Sequence, residues 1–445
     1  MVELTRPNGQ HANEKKIAPV LPRRRILFLL YRFPWPLVGG DKVKPYHLLR
    51  HFAEIADVDI IATDESNDIT PEGFAHIQQF ANLEIIPFDK TKAKLRILKG
   101  LAGSRPIEHN YYYSSEMHSA VNRAVTSKEY DLIVCFFLRT AEYVKDLKIA
   151  KLLIAEDARV IMQERASRKF KLTPEYLVRK IDAKRLKAYE PKMAEHFDHV
   201  TFVAEEDRAR IFAANPRLST SVVSNGVDLA KFKYNEGTRS KTILFAGHLG
   251  IYHNKLMAER LVGQIFPLIQ TKLPDVKLKI VGKDPSQKLR TLITSMKNVE
   301  LHADVPDVAP YLMNEGIFVH PQTVGSGIQN KLLEAMACGI PVITTPVGAG
   351  GIDGLVPSTH AIVTETDHEI ADRAIELLRD QTSSLSMQRS ARQLIENSFT
   401  WDTIYEALDH AIEICVPDFF DAVTAKPLGV EKSVKTSINK AVSLA

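Results

Sequence analysis

The chain has 445 residues, of which 45% are hydrophobic, 25% charged and 8% aromatic, and its net charge is +4. These values exclude a disordered, collagenous or disulfide-stapled chain, and at about 150 residues per domain they suit two large α/β domains or about three smaller ones. The charge is too mild to argue for nucleic acid, and no run approaches the roughly 18 uncharged apolar residues of a membrane-spanning helix.

Residues 1–23 read as a polar leader that lacks the apolar core of a signal peptide. From Arg25 onward, short apolar runs alternate with helical periods. Strands are expected at Arg25–Tyr31, Val58–Thr63, Leu83–Pro87, Leu132–Phe137, Lys151–Ala155, His199–Ala204 and Ser221–Val223. Helical periods fall at Lys42–Ile55, Pro71–Ala81, Glu116–Ser127 and Glu205–Ala213. Strands separated by helices at this spacing predict βαβ units and a parallel sheet, here over residues 24–225. Asn225-Gly226 and Asn235-Glu236-Gly237 mark a linker over 226–238. A second series follows over 239–400. Its strands are expected at Thr242–Ala246, Lys277–Val281, Asn298–Leu301, Gly316–His320, Pro341–Thr344 and Ala361–Val363. Its helices are expected at Asn254–Lys272, Ser286–Met296, Asp307–Met313, Ile328–Cys338 and Glu369–Arg379. Trp401–Cys415 is an amphipathic helix, within a segment 401–421 expected to pack back towards the first domain, and 422–445 reads as a tail. The fold class is therefore α/β, with two Rossmann-like domains facing across a cleft. Such sheets bind ligands at the carboxyl ends of their strands. Cys135, Cys338 and Cys415 are far apart and odd in number, which gives no metal spacing and points to a reducing cytoplasm.

The densest chemistry lies between His320 and Val342. A strand ends at His320, a loop bearing Gly325 and Gly327 follows, and a helix runs from Ile328 to a C-terminal Gly339. Unpaired amides at that helix start, with the helix dipole behind them, suit a diphosphate. Lys331 and Glu334 share one face of the helix. The lysine can neutralise diphosphate oxygens, and the carboxylate one turn on can accept both hydroxyls of a ribose. Leu332, Leu333, Ala335, Met336 and Ala337 surround them, so these are charges on a buried helix that need partners or a ligand.

This segment resembles the signature of GT-B retaining glycosyltransferases of the GT4 family (glycosyltransferase group 1), in the subgroup with a GIQNK-x-LEAMA core met in bacterial exopolysaccharide clusters. Further stretches resemble the same family. They are the loop Gly39-Gly40-Asp41-Lys42, the crossing Asn225-Gly226-Val227-Asp228, the strand ends Phe245-Ala246-Gly247-His248 and Ile280-Val281-Gly282, and the loop Asp304-Val305-Pro306-Asp307. Two positions depart from the wider family: Ser326 stands at the first of its two glutamates, and His248 at its basic residue.

The resemblance implies a retaining, metal-independent transfer from a UDP- or GDP-linked sugar, without a separate cofactor, to a saccharide or polyprenyl-linked glycan in surface polysaccharide synthesis. It implies donor contacts from Gly39, Gly40, Gly247, His248, Gly282, Val305, Pro306, Gly325, Ser326, Gly327, Ile328 and Gln329, together with Lys331 and Glu334. Alternative readings are a GT-B nucleotide-sugar epimerase and a catalytically silent sugar-nucleotide-binding protein. The only DxD string, Asp57-Val58-Asp59, sits at a strand entry and reads as surface.

Candidates on the acceptor side are Asp41, Lys42, His47, His109 and Tyr111. Arg139 is placed for an acceptor phosphate and Asp157 for a general base, both at the carboxyl edge of the first sheet. Residues 90–105 and 168–192 are basic, and the second stretch has apolar residues at helical spacing around an expected kink at Pro191. They suggest peripheral contact with anionic lipid at the inner face of the cytoplasmic membrane.

Overall fold

The computed structural model describes residues 23–422, apart from 38, 66, 170–173, 237–238, 326 and 381. The leader before residue 23, the tail from 423, Ser326 and part of the basic stretch 168–192 thus lie outside the described residues.

The first sheet is built from β1 (Arg25–Leu30), β2 (Asp57–Asp64), β3 (Asn82–Pro87), β4 (Leu132–Phe136), β5 (Lys151–Glu156), β6 (His199–Phe202) and β7 (Thr220–Val222). Its order is β3-β2-β1-β4-β5-β6-β7, and every pairing is parallel. The second sheet is built from β8 (Thr242–Ala246), β9 (Lys277–Gly282), β10 (Val299–Ala303), β11 (Ile317–His320), β12 (Val342–Thr344) and β13 (Ile362–Val363). It runs β10-β9-β8-β11-β12-β13, again all parallel.

Both central strands are buried along their whole length, as in β4 and β8, because helices cover both faces. Each sheet has a cluster of aliphatic and aromatic side chains on either face. In each sheet the order reverses once, between β1 and β4 in the first and between β8 and β11 in the second. The helices leaving neighbouring strands part there, and a crevice opens at the carboxyl ends.

The helix Trp401–Cys415 returns to the first domain. Ile404, Leu408, Ala411 and Ile412 join the core that holds Phe28 and Phe52. Val227 donates its amide to the carbonyl of Phe399 at 2.7 Å, so the outgoing and returning strands of the crossing run side by side.

Three local expectations change. The helix expected over Asn254–Lys272 is broken into Tyr252–Arg260, a wide turn Leu261–Ile265 and Phe266–Lys272. Pro267 has no N–H to give the carbonyl of Gly263, and the wide turn makes room for its ring. Pro191 lies one turn from the end of the helix Pro174–Ala194, so it closes that helix rather than dividing it. The helices Lys90–Gly100, Ile107–Tyr112 and Leu385–Ser398 carry periodicity too short or too charged to stand out in the sequence.

Candidate functional site

The second sheet's crevice carries the densest set of unpaired charge. β8 is followed by Gly247, β9 ends in Gly282 and β11 in His320. Gly282 adopts φ +154°, and a Cβ there would stand 1.6 Å from the carbonyl oxygen of Gly247, so only glycine lets these two loop tips meet. The helix after β11 starts at Asn330, two residues later than its apolar period suggests, and ends at Cys338 with Gly339 in the left-handed conformation. Its N-cap, Gln329, makes no side-chain cap, which leaves the first-turn amides without an acceptor from that side chain.

Leu332, Leu333, Ala335, Met336 and Ala337 are wholly buried, which fixes the helix and aims Lys331 and Glu334 out of its remaining face. Lys331 lies over Gly247, with its Cε 3.3 Å from where a Cβ of that glycine would be. Neither Lys331 nor Glu334 has a hydrogen-bond or ion-pair partner among the described residues. Burial pulls the Lys331 ammonium below its usual range, against the pull of Glu334. Burial pushes the Glu334 carboxyl up to about 7, which Lys331 only partly offsets.

Two histidines complete the crevice, and neither stood out in the sequence as a ligand. His320 is fully buried and lies nearly parallel to the rings of Phe245 and Phe318. Its ring nitrogens have no hydrogen-bond partner among the described residues. Burial, and then the charge of Lys331, hold it neutral with a pKa of about 3. His253, at the start of the helix Tyr252–Arg260, is likewise lowered to about 4 by burial and by Lys331. Both imidazoles therefore face the ammonium as neutral groups. Their only sequence signal is position, one closing a strand and the other opening the helix beside the Gly247 loop. His248, by contrast, is exposed and gives the site only its carbonyl, which accepts from Asn254 at 3.0 Å.

Beyond Glu334 lies the ion pair Lys231–Asp307 at 3.4 Å, near enough for both charges to bias Glu334. Val305 and Pro306 precede it in the loop after β10. The crevice is thus ordered from cation, through carboxylate, to a short polar loop.

The first domain closes over the glycine loop. Arg165, on the helix Arg159–Lys169, donates to the carbonyl of Gly325 at 2.9 Å and to Glu206 at 2.5 Å. Asn225 donates to Asn330 at 2.6 Å, and Gly40 approaches the amide of the same Asn330. Gly327, at φ +66°, presents its α-carbon to Val203 and Asp157. The Gly39-Gly40 loop, Asp157 and Gly325–Gly327 are therefore brought together, whereas most of the other acceptor-side candidates are not.

Those candidates need correction. Lys42 is buried and donates to Asp68 at 2.5 Å and to the Trp35 carbonyl at 3.1 Å. His47 stacks on Trp401 at 3.8 Å, where burial and the nearby Arg50 lower it to about 3, so it anchors the returning helix. His109 is buried edge-on against Tyr189. Arg139 is enclosed by the rings of Tyr31, Tyr112 and Phe137, at 4.3, 4.5 and 5.0 Å, and is ion-paired to Glu108. An acceptor phosphate would have to displace that carboxylate, so Arg139 braces the aromatic wall instead. Glu108 also pairs with Arg159 at 2.7 Å. Burial raises its pKa, but the two guanidinium groups outweigh burial and hold it at about 2. Asp41 accepts from Arg32 at 2.5 Å and from Tyr31 at 3.1 Å. Tyr111 packs on Phe88 and Tyr112.

Asp57 is exposed. Asp59 is enclosed by Lys128, Tyr130 and Asn82 at the amino end of the first sheet, away from the crevice. Among the described residues, no three His, Cys, Asp or Glu side chains gather as a metal site would require.

Residues 240–380 match the family described as Glycosyl transferases group 1. The chain is 31% identical over 205 residues to the capsular polysaccharide biosynthesis glycosyltransferase CapM of Staphylococcus aureus. That match spans 42% of this chain and 52% of CapM, so the chain covers about half of that relative. Among solved structures, sucrose-phosphate synthase of Thermosynechococcus elongatus superposes with a TM-score of 0.65 at 15% identity, over 88% of this chain and 98% of that one. HepE of Anabaena, solved with UDP-glucose, gives 0.61 at 14% identity over 87% and 99%. The chain therefore has the two-domain GT-B fold, and residues 240–380, within its second domain, are similar to the group 1 glycosyl transferases.

Proposed function

We propose that the protein transfers a sugar, with retention of configuration, from a UDP- or GDP-linked donor to a saccharide or lipid-linked saccharide acceptor in surface polysaccharide synthesis. The observation that carries this reading is the pair Lys331 and Glu334. They are held at the reversal point of the second sheet without hydrogen-bond or ion-pair partners among the described residues, beside an uncapped helix start. An unpaired ammonium there is unfavourable without an anion, and a departing diphosphate supplies one. On this reading Glu334, one turn on, accepts the ribose hydroxyls, and Val305-Pro306 meet the base through their backbone. CapM, named for capsular polysaccharide synthesis, and HepE with its bound UDP-glucose support the donor and acceptor classes.

In the transfer, negative charge grows on the leaving phosphate while the sugar becomes oxocarbenium-like. Lys331 and the amides around Gly325–Ile328 are preorganised for that charge and need no reorganisation as it forms. Neutral His253 and His320 add no competing cation. The acceptor hydroxyl enters from the first domain, on the face of the sugar that the diphosphate leaves. Asp157, against Gly327, lies at that edge to receive its proton. The reaction on this reading runs without a metal.

Incubation with a panel of UDP- and GDP-linked sugars tests this reading. Slow hydrolysis of one donor, insensitive to EDTA and giving first-formed sugar of unchanged anomeric configuration by NMR, is the expected result. Absence of both binding and hydrolysis across the panel would overturn it, and loss of activity in EDTA restored by Mn²⁺ would overturn its metal independence.

A further inference from the structure

Outside the cleft, the exposed apolar side chains are not scattered. Among the described residues, eleven large hydrophobic side chains stand exposed, and six of them lie on two helices of the first domain. Leu95, Leu98 and Leu101 form one stripe along and just past Lys90–Gly100, and Leu177, Val178 and Ile181 lie on Pro174–Ala194.

The two helices adjoin. Ile97 from the first and Val178 from the second line one cavity of about 300 Å³, with Ile107 and Tyr111 behind them. Arg185 donates to the carbonyl of Arg105 and lies against that of Leu101. Asp182 accepts from the amide of Ile107 at 2.7 Å, which locks the second helix to the segment after the first.

The charge around these six side chains is predominantly positive, with exposed acids only at the rim, Asp89 and Glu116. Lys90, Lys92, Lys94 and Lys99 are exposed on the first helix, and Lys180, Lys184 and Lys187 on the second. Between Lys90 and Arg105 there is no acid, and between Tyr176 and Lys187 the single acid, Asp182, is buried. A face meant only to be soluble would interleave both signs. A face meant for a protein of mixed charge would bury some cations in ion pairs, yet among the described residues the lysines of this face show only one ion pair, the loose Lys92–Glu116 contact at 3.8 Å, and Arg105, at its edge, pairs with Glu142 at 3.2 Å.

We infer that this face seats on an anionic lipid bilayer, with the six apolar side chains entering the headgroup–acyl boundary and the lysines lying among the headgroups. Exposed apolar side chains ringed by lysines, with exposed acids only at the rim, at Asp89 and Glu116, are the composition such an interface selects. The surface extends the sequence expectation in two ways. It adds the leucines of Lys90–Gly100, and it makes two distant segments one continuous patch beside the aromatic wall of Tyr111 and Tyr112. The inference does not depend on the reaction carried out in the cleft.

The test is co-sedimentation of the full chain with vesicles of phosphatidylcholine alone and of phosphatidylcholine mixed with phosphatidylglycerol. The protein should pellet with the anionic vesicles only. The variant Leu98→Glu/Leu177→Glu should lose at least about tenfold in partitioning, and Lys94→Glu/Lys180→Glu should lose a similar amount at low salt. Donor hydrolysis without vesicles should be unchanged in both variants, which keeps failure of docking distinct from failure of the cleft chemistry. Wild-type protein that stays in the supernatant with anionic vesicles at low salt would overturn the inference. So would apolar-face variants that pellet like wild type, or a concentration-dependent dimer that Leu98→Glu abolishes while vesicles capture nothing.

Discussion

Lys331 and Glu334 set the behaviour of the crevice because each is ionised at a cost that a ligand removes. Replacing Lys331 by alanine should lower kcat/KM by about 100-fold, or about 3 kcal/mol, the usual loss for one preorganised donor to transition-state charge. A value within about threefold of wild type in steady-state assays would remove Lys331 from the reaction. Glu334→Ala should weaken donor binding by roughly 1.5–3 kcal/mol. Its pH dependence is the sharper test. With the carboxyl raised to about 7, the ionised form that accepts two hydroxyls is scarce at pH 6 and dominant at pH 8. Donor affinity measured by calorimetry should therefore rise across that interval. Glu334→Gln should bind more weakly at pH 8 and lose the slope, and an unchanged slope in that variant would assign the titration to another group.

Among the elements, the start of the helix Arg159–Lys169 is the most charged. Glu190 accepts the amides of Arg159 and Val160 at 2.8 and 3.3 Å, and Asp207 accepts that of Ala158 at 2.8 Å. Burial, and then the neighbouring Asp157, raise Glu190 to about 8 and Asp207 to about 7. Both groups hold protons in the folded chain at pH values where the unfolded chain has lost them. Their folded pKa values lie above the unfolded ones, so stability is greatest below about pH 4 for these two groups and declines as pH rises towards 8. Thermal unfolding followed from pH 6 to pH 8.5 should show a falling Tm, and Glu190→Gln should flatten the fall. A Tm that rises with pH in wild type, or the same fall in the variant, would show that other groups govern it.

At the neighbouring end of β5, Lys44 is wholly buried, ion-paired to Glu156 and donating to the carbonyl of Val223 at 2.7 Å. Lys44→Met leaves a buried carboxylate alone and should cost about 3–5 kcal/mol in urea unfolding. A loss below about 1 kcal/mol would show that water reaches Glu156.

These elements also show what the sequence could reveal. Short apolar runs bounded by helical periods marked every strand of both sheets, because parallel strands buried on both faces have little freedom of composition. The start of Lys331's helix was legible from its glycines and its apolar neighbours. The acceptor-side residues were not, because a histidine in a helix reads the same whether it faces a cleft or, like His47, lies flat on Trp401 from the far end of the chain. The neutral imidazoles of His253 and His320 were equally hidden, since their character comes from an ammonium that only the fold brings near.

At the scale of the whole molecule, the two sheets are joined by the Asn225–Asp228 crossing and its return at Phe399–Trp401, and the glycine loop lies between them. The first domain reaches that loop through Arg165 at Gly325 and Asn225 at Asn330, while the amide of Glu205 meets Asp353 at 3.1 Å. Arg165→Ala removes a charged donor from a carbonyl inside the loop. It should raise KM for the donor by about 3- to 10-fold, the worth of roughly one charge-assisted hydrogen bond, with kcat unchanged or higher. A fall in kcat at unchanged KM would place Arg165 in the chemical step instead.

That contact carries a kinetic implication. Because Arg165 holds the Gly325 carbonyl of the loop whose amides would cradle a spent nucleotide, separation of the two lobes and escape of the by-product would be a single movement. The lifetime of the clasp would then act as the timer of each catalytic cycle, and weakening the grip would trade tenacity for tempo.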